Sequence, residues 1–307
     1  MKAKRKPLIG GPQRKIFIIG MLAFPVAYFL VFNLYINFDS IVMVFQRFNY
    51  STGKIEFYGF GNIVFMAQKF VTDRGMGTVF VNSLLFFPVT NFITLPISVI
   101  FAYILTKKLP LYRFYRTVFF LPQIISVVVL TMVFGFMFDS TFGVVNPILR
   151  AIGLGGIVPN AWLGNKNTAL PMVFLYCIWA GIGMNVVLVS SAIRRVPEEI
   201  LEYGKLEGIG MFRELFSVIV PMIWPTITTM VIIGTTVVFT LFIQPLLLTN
   251  GGPDGATTTI ALVLIQNTMQ NNLNYAATLG LFLTLVGVIL VSTVKAILDR
   301  FGRDVEY

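Results

Sequence analysis

Histidine is absent from this chain of 307 residues, and cysteine occurs once. The first absence excludes imidazole acid-base catalysis and His-ligated metals; the second excludes an internal disulfide framework. Charge is scarce as well, since Asp, Glu, Lys and Arg make up only 12% of the residues, about half the fraction usual in soluble domains. No Gly-x-x-x-x-Gly-Lys-Ser/Thr phosphate loop occurs, so the chain lacks the common cradle for nucleotide phosphates. Its clustered carboxylates, in 197–217, have no histidine, nucleophile-and-base pair or metal-ligand set beside them, which argues against a membrane enzyme.

What fills the chain is hydrocarbon: 56% of residues are hydrophobic and the mean hydropathy is +0.83. A helix needs about 20 apolar residues to cross the roughly 30 Å core of a bilayer. Six stretches meet that length: 16–36, 79–105, 117–138, 169–193, 219–245 and 276–298. They predict an all-α, polytopic membrane protein with six transmembrane helices. The first stretch follows a basic tail as a secretory signal does, but it is too long and lacks a small-x-small cleavage pattern, so it reads as an uncleaved span. Of charged residues the six spans hold only Lys295, close enough to an end to snorkel.

Most of the 23 Lys and Arg residues fall in the N-terminal tail, at 107–116, at 194–213 and at the C-terminal end. Arg47, Lys54, Lys69, Arg74, Arg150 and Lys166 belong to the other face. The positive-inside bias places both termini in the cytoplasm, and basicity spread between apolar runs sets orientation rather than binding nucleic acid. The expected organisation is a basic tail at 1–15, a six-helix membrane domain at 16–298 and a short tail at 299–307. Longer, Gly-, Pro-, Asn- and Asp-rich segments at 37–78, 139–168 and 246–275 read as outer loops. Pro25, Pro88, Pro96, Pro122, Pro171, Pro221, Pro225 and Pro245 lie inside or at the edges of the spans, where each frees a carbonyl and can kink a helix.

One stretch does not fit a membrane: "PEEILEYGKLEGIGMFRELFSVIVPMIWP", residues 197–225. Pro197 suits a first helical position, and Glu198 and Glu199 follow where the helix dipole favours anions. Gly208 and Gly210 allow a bend, after which "MFRELFSVIV" forms a second helix leading into the next span. The predicted product, over 194–218, is a helix, bend, helix elbow. Its exposed mixture of Ile200, Leu201, Leu206, Ile209, Met211, Phe212, Leu215 and Phe216 with charged neighbours suits a docking surface, with apolar area for affinity and charges for register.

The elbow resembles the EAA loop of ATP-binding-cassette importer permeases. Glu202 matches the glutamate, Gly208 falls at the expected spacing, and "VIVP" ending at Pro221 stands for the apolar pair and proline; Tyr203 and Gly204 replace the two alanines. "LTNGGPDGATTT" with "YAATLGLF" is similar to the outer loop and last span of sugar-type permeases of that superfamily. "FGVVNPILRAIGL", and "GFGNI" with "VNSLLFF", fit in the same order, so the resemblance covers roughly 55–300.

The resemblance implies a permease without a catalytic site or bound cofactor, which works with a homologous second permease, two cytoplasmic ATPase subunits that use ATP and magnesium, and an extracytoplasmic substrate-binding protein. It implies a place in the bacterial cytoplasmic membrane and a sugar cargo moved by alternating access. Glu198, Glu202, Tyr203, Gly204, Lys205, Gly208 and Pro221 would couple to the ATPases. For the substrate path, polar residues at membrane depth are the candidates: Gln123, Gly181, Asn185, Thr235, Thr240 and Gln244, each of which could equally serve packing. Asn250, Gly251, Gly252, Pro253 and Trp162 are candidates for docking the binding protein, although Trp162 could also be an interfacial anchor. An ion-coupled secondary transporter of a small polar solute stays open at this point. Proton coupling would need titratable groups at depth, which the spans lack, but a sodium site made of carbonyls would not.

Overall fold

The structure, a computed structural model, describes residues 11–49, 52–107 and 110–301. Residues 1–10 of the basic tail, Lys108 and the tail beyond 301 lie outside the described residues, as does the side chain of Lys205.

The first long helix is α1 (Gly11–Phe29) continued through a π-helical stretch, Leu30–Tyr35, into α2 (Ile36–Val44). A two-stranded antiparallel hairpin follows, β1 (Gln46–Asn49) with β2 (Lys54–Phe57), in register Gln46 to Phe57 and Asn49 to Lys54. Then come α3 (Gly61–Thr72) and a second long helix, α4 (Arg74–Pro88), a π-helical stretch Val89–Thr94 and α5 (Leu95–Thr106). A bent pair, α6 (Tyr112–Ile124) and α7 (Val127–Met137), leads through the short α8 (Val145–Ala151) to the continuous α9 (Lys166–Ile193). Next are α10 (Glu198–Leu206), α11 (Met211–Glu214), a π-helical stretch Leu215–Ile219, α12 (Val220–Met222) and α13 (Trp224–Thr240). The chain ends in α14 (Ile243–Thr249), α15 (Ile260–Met269) and α16 (Leu273–Phe301).

Four of these helices are long and apolar enough to cross a membrane, Arg14–Val44, Arg74–Thr106, Lys166–Ile193 and Leu273–Phe301, and the count reaches six if each bent pair is one span. The expected spans at 117–138 and 219–245 are therefore not straight rods. The first turns by 108° between α6 and α7, and the second by 79° at Ile223, between α12 and α13. The physical reason is the missing N–H and bulky ring of proline. Pro122 precedes the first corner, and Pro221 and Pro225 flank the second. The π-helical stretches keep similar company, at Val89–Thr94 after Pro88 and at Leu215–Ile219 just before Pro221. The expected loop at 246–275 contains two helices, α14 and α15, the latter with Ile260, Ala261 and Leu262 buried.

Packing centres on α9 and α13. Helix α9 lies against α5 and α6, and α13 runs between α4 and α16. One apolar cluster joins Val99, Ala102 and Tyr103 of α5 to Val189 and Ile193 of α9, to Leu215 in the second arm of the elbow and to Ile219 and Ile223 beyond it. Another ties α3 and α4 to α15 and α16 through Met66, Met76, Ile260 and Leu279. Helix α1 packs into neither, and its apolar side chains are exposed.

Candidate functional site

A cavity of about 610 Å³ opens where the helices are irregular. Its wall includes Thr90 and Thr94 from the π-helical stretch, Gln123 and Ile125 at the α6–α7 corner, Tyr176 to Leu188 from α9, Met230 to Val237 from α13, and Leu241 and Gln244 around the α13–α14 break. Non-helical backbone at membrane depth is tolerable when it lines such a space, because carbonyls freed from the helix ladder can meet polar groups or water there. No lining residue is charged.

Glycine sets how closely the walls approach. A methyl group on Gly183 would come within 2.1 Å of the Phe119 carbonyl oxygen, so α6 can lie directly on α9 only because position 183 has no side chain. On the opposite wall a methyl on Gly234 would come within 2.5 Å of Asn91 Oδ1, while Thr90 Oγ1 donates to the Gly234 carbonyl at 3.2 Å. These two contacts fix the π-helical stretch against α13.

Of the six residues expected on a substrate path, the structure brings Gln123, Gly181, Asn185 and Gln244 together on this wall. The Gln123 amide donates to the Ala180 carbonyl. The side chains of Asn185 and Gln244 hold no hydrogen bond among the described residues, which leaves two amides available to an occupant. Thr235 and Thr240 are not on the wall. Thr235 is fully buried and donates to Val231 O at 2.7 Å, and Thr240 donates to Thr236 O at 3.2 Å, so both hydroxyls are spent on their own helix. Sequence reasoning missed Thr90, Thr94, Tyr176 and Met230; the signal for the first two was the pair Pro88 and Pro96 bracketing a polar Thr-Asn-x-x-Thr run. Such a wall suits an uncharged polar molecule, with the Asn185 and Gln244 amides pairing to its polar groups, the Thr90 and Thr94 hydroxyls, whose protons go to Phe86 O and Val89 O, left to accept, and the Tyr176 ring and methionines covering its apolar faces.

The elbow at 194–218 is formed as two helical arms. Helix α10 ends in a tight turn in which the N–H of Ile209 donates to the Gly204 carbonyl at 3.1 Å, and Gly208 adopts φ +69°, a left-handed conformation that disfavours any side chain. Gly204 is buried under Ile209, whose δ-methyl would lie 2.7 Å from a methyl at 204. A residue smaller than alanine therefore suits this position. Glu198, Glu202 and Tyr203 are exposed, as are Leu206, Met211, Phe212 and Phe216, whereas Leu215, expected on the same surface, is buried in the cluster with α5 and α9. Lys205 lies in α10 by its backbone, and Pro221 is exposed in α12.

The Thr-Asn-Gly-Gly-Pro segment folds inward. Asn250 is exposed, Gly251 is buried at φ +81°, and Gly252 and Pro253 are half-buried. Asn82 of α4 donates to the Ala256 and Thr258 carbonyls at 3.0 and 3.1 Å, and Thr259 Oγ1 donates to Leu241 O at 2.8 Å, capping the α13–α14 break. Trp162 is half-buried, with its indole N–H spent on Asn146 Oδ1 at 2.7 Å and its ring edge-on to Phe138.

Comparison with known proteins accords with this architecture. Residues 94–304 match the family described as binding-protein-dependent transport system inner membrane component. The chain is 34% identical over 176 residues to a probable ABC transporter permease, YurN of Bacillus subtilis, a match spanning 56% of this chain and 60% of that one. It is 28% identical over 291 residues to the diacetylchitobiose uptake system permease NgcF of Streptomyces coelicolor, across 92% of this chain and 82% of the relative. Among solved structures, a bacterial ABC transporter involved in import of the acidic polysaccharide alginate aligns with a TM-score of 0.79 at 20% identity, covering 94% of this chain and 97% of that one.

Proposed function

Because the chain belongs to the family of binding-protein-dependent transport system inner membrane components, we propose that it is the membrane-spanning permease subunit of an ATP-driven importer for a neutral sugar or oligosaccharide. The observation that carries this reading is the uncharged, amide- and hydroxyl-bearing cavity at the helix breaks, lined by Gln123, Asn185, Gln244, Thr90 and Thr94. Saccharide recognition needs polar groups for hydroxyls and apolar faces for ring carbons, and a neutral cargo needs no charge at depth. Relatives named for diacetylchitobiose and arabinooligosaccharide transport support a carbohydrate cargo.

The chain sits in the bacterial cytoplasmic membrane with both termini and the elbow on the cytoplasmic side. A homologous permease completes the pore, and two ATPase subunits use ATP and magnesium. An extracytoplasmic binding protein delivers the sugar, with Asn250, Gly251, Gly252, Pro253 and Trp162 near its docking face. One ATPase grips the exposed face of α10 and α11, around Glu198, Glu202, Tyr203 and Lys205. When the ATPases close, the elbow moves as a lever, with Gly208 holding its bend and Pro221 in its exit helix, and the attached helices swing the cavity between inward-open and outward-open states.

Uptake by the reconstituted importer separates this reading from an ion-coupled carrier: it is expected to persist with an ionophore and to stop when ATP is withdrawn. A thiol at position 202, introduced in a Cys177→Ala background, is expected to crosslink to an ATPase subunit. Labelling of that thiol from outside the cell, or no crosslink to any polypeptide, would overturn the assignment.

A further inference from the structure

Among the described residues Glu214 is the only buried carboxylate, 6% exposed. It sits on the second arm of the elbow. Lys107, at the end of α5, donates from Nζ to both of its oxygens, at 2.7 and 2.8 Å, and the same ammonium lies 4.9 Å from the centre of the Tyr103 ring. The elements that carry the pair also share one apolar cluster, in which Val99 and Ala102 of α5 join Ile193, Leu215 and Ile219.

The pair joins a buried carboxylate to a lysine whose side chain is 33% exposed, and it is a poor source of net stability, since solvent screens it and the carboxylate costs desolvation. What it supplies is register. Apolar packing alone carries no charge preference, whereas a carboxylate that meets one ammonium with both oxygens ties α11 to the end of α5 at this point. The elbow has two covalent exits, and both pass through corners. Toward α13 the chain turns 79° at Ile223, and toward α9 it passes the turn at 194–197. The contact with α5 avoids a corner. From Lys107 the helix runs without interruption to Thr94, about 20 Å away at helical rise, and Thr94 and Thr90 stand on the cavity wall.

We propose that Lys107 and Glu214 form a positioning latch that carries the displacement of the elbow into α5 and so to the cavity wall at Thr90 and Thr94. This rests on the elbow being the site gripped by the ATPase. The latch touches neither sugar nor nucleotide, so its loss changes how much sugar moves for each ATP hydrolysed.

The test uses the complete reconstituted importer, with a panel of neutral oligosaccharides as probes and the thiol crosslink at position 202 as a control for docking. Glu214→Gln and Lys107→Met are each expected to lower sugar imported per ATP by about fivefold or more while the crosslink still forms. The charge-swapped double variant, Lys107→Glu with Glu214→Lys, is expected to regain most of the lost ratio, which a general loss of packing would not. If the crosslink forms and the single variants keep the normal ratio, the latch is wrong and the docking reading stands. A swapped variant that assembles and crosslinks but transports no better than the singles also overturns the latch. If position 202 does not crosslink even with Lys107 and Glu214 intact, the docking reading fails and the latch with it.

Discussion

Thr90 and Gly234 meet across the cavity wall: the threonine hydroxyl, shared with Phe86 O of its own helix at 2.8 Å, reaches the glycine carbonyl at 3.2 Å, and the side chain of Asn91 occupies the space a methyl on the glycine would need. The crossing is thus held by a hydrogen bond and by the lack of a side chain. Gly234→Ala forces Asn91 or α13 to move, and overpacking of this kind costs about 1–3 kcal/mol. Transport is expected to fall several-fold with the protein still in the membrane. Adding Asn91→Ala, which empties the contested space, should recover much of the loss; uptake rates normalised to membrane abundance decide it.

Asn185 and Gln244 present amides to the cavity, whereas the hydroxyl of Thr240 is spent within its own helix. Replacing either amide with leucine removes a group that pairs with cargo, and about 1 kcal/mol or more of binding goes with each hydrogen bond. Asn185→Leu and Gln244→Leu should each raise the sugar concentration giving half-maximal ATP turnover by roughly fivefold or more, on the arithmetic linking free energy to affinity. Thr240→Val should leave it unchanged. Equal effects from all three variants would mean that the cavity is not the sugar path.

Gly208 holds φ +69°, and proline is locked near −65°. Gly208→Pro therefore cannot keep the bend between α10 and α11, and import should be lost while insertion is intact. Gly208→Ala, which pays about 1–2 kcal/mol for the left-handed conformation, should lie between. Parallel measurement of import and of chain abundance in the membrane tests both; normal import by the proline variant would defeat the lever.

Thr259 donates to Leu241 O at 2.8 Å and accepts from Leu262 N at 3.2 Å, so one buried hydroxyl closes the α13–α14 break and caps α15. Thr259→Val keeps the shape and removes both bonds, a loss of about 1–3 kcal/mol. Thermal unfolding of the purified protein in detergent should begin several degrees lower, whereas Thr240→Val, at an exposed hydroxyl, should shift it little.

Several features could be read from the residues because they rest on local chemistry. Length and hydropathy were enough for Arg14–Val44, Arg74–Thr106, Lys166–Ile193 and Leu273–Phe301. The helix, bend, helix form of the elbow followed from Pro197, the glutamates after it and Gly208. The prolines of two spans were read as able to kink them, but hydropathy is blind to direction: Pro122 signals that a helix can break, without saying that it turns by 108°. The segment 246–275 was read as an outer loop because its Gly, Pro, Asn and Asp residues mark turns. The groups that hold it inward, Asn82, Ser83 and the Leu241 carbonyl, lie outside the segment. Thr235 and Thr240 were nominated beside Gln244 by polarity alone, and only the rotation of α13 separates them from the wall.

Taken alone, the sequence determined that this chain belongs in lipid, that its spans lack carboxylates, and that one charged elbow interrupts them; each follows from side-chain transfer energies and backbone preferences that act within a few residues. The cavity, the crossing of Thr90 on Gly234, the seat of Phe119 on Gly183 and the pairing of Lys107 with Glu214 were decided by the tertiary structure. They join residues tens to more than a hundred positions apart, and only the packed chain specifies which helix faces meet and how closely.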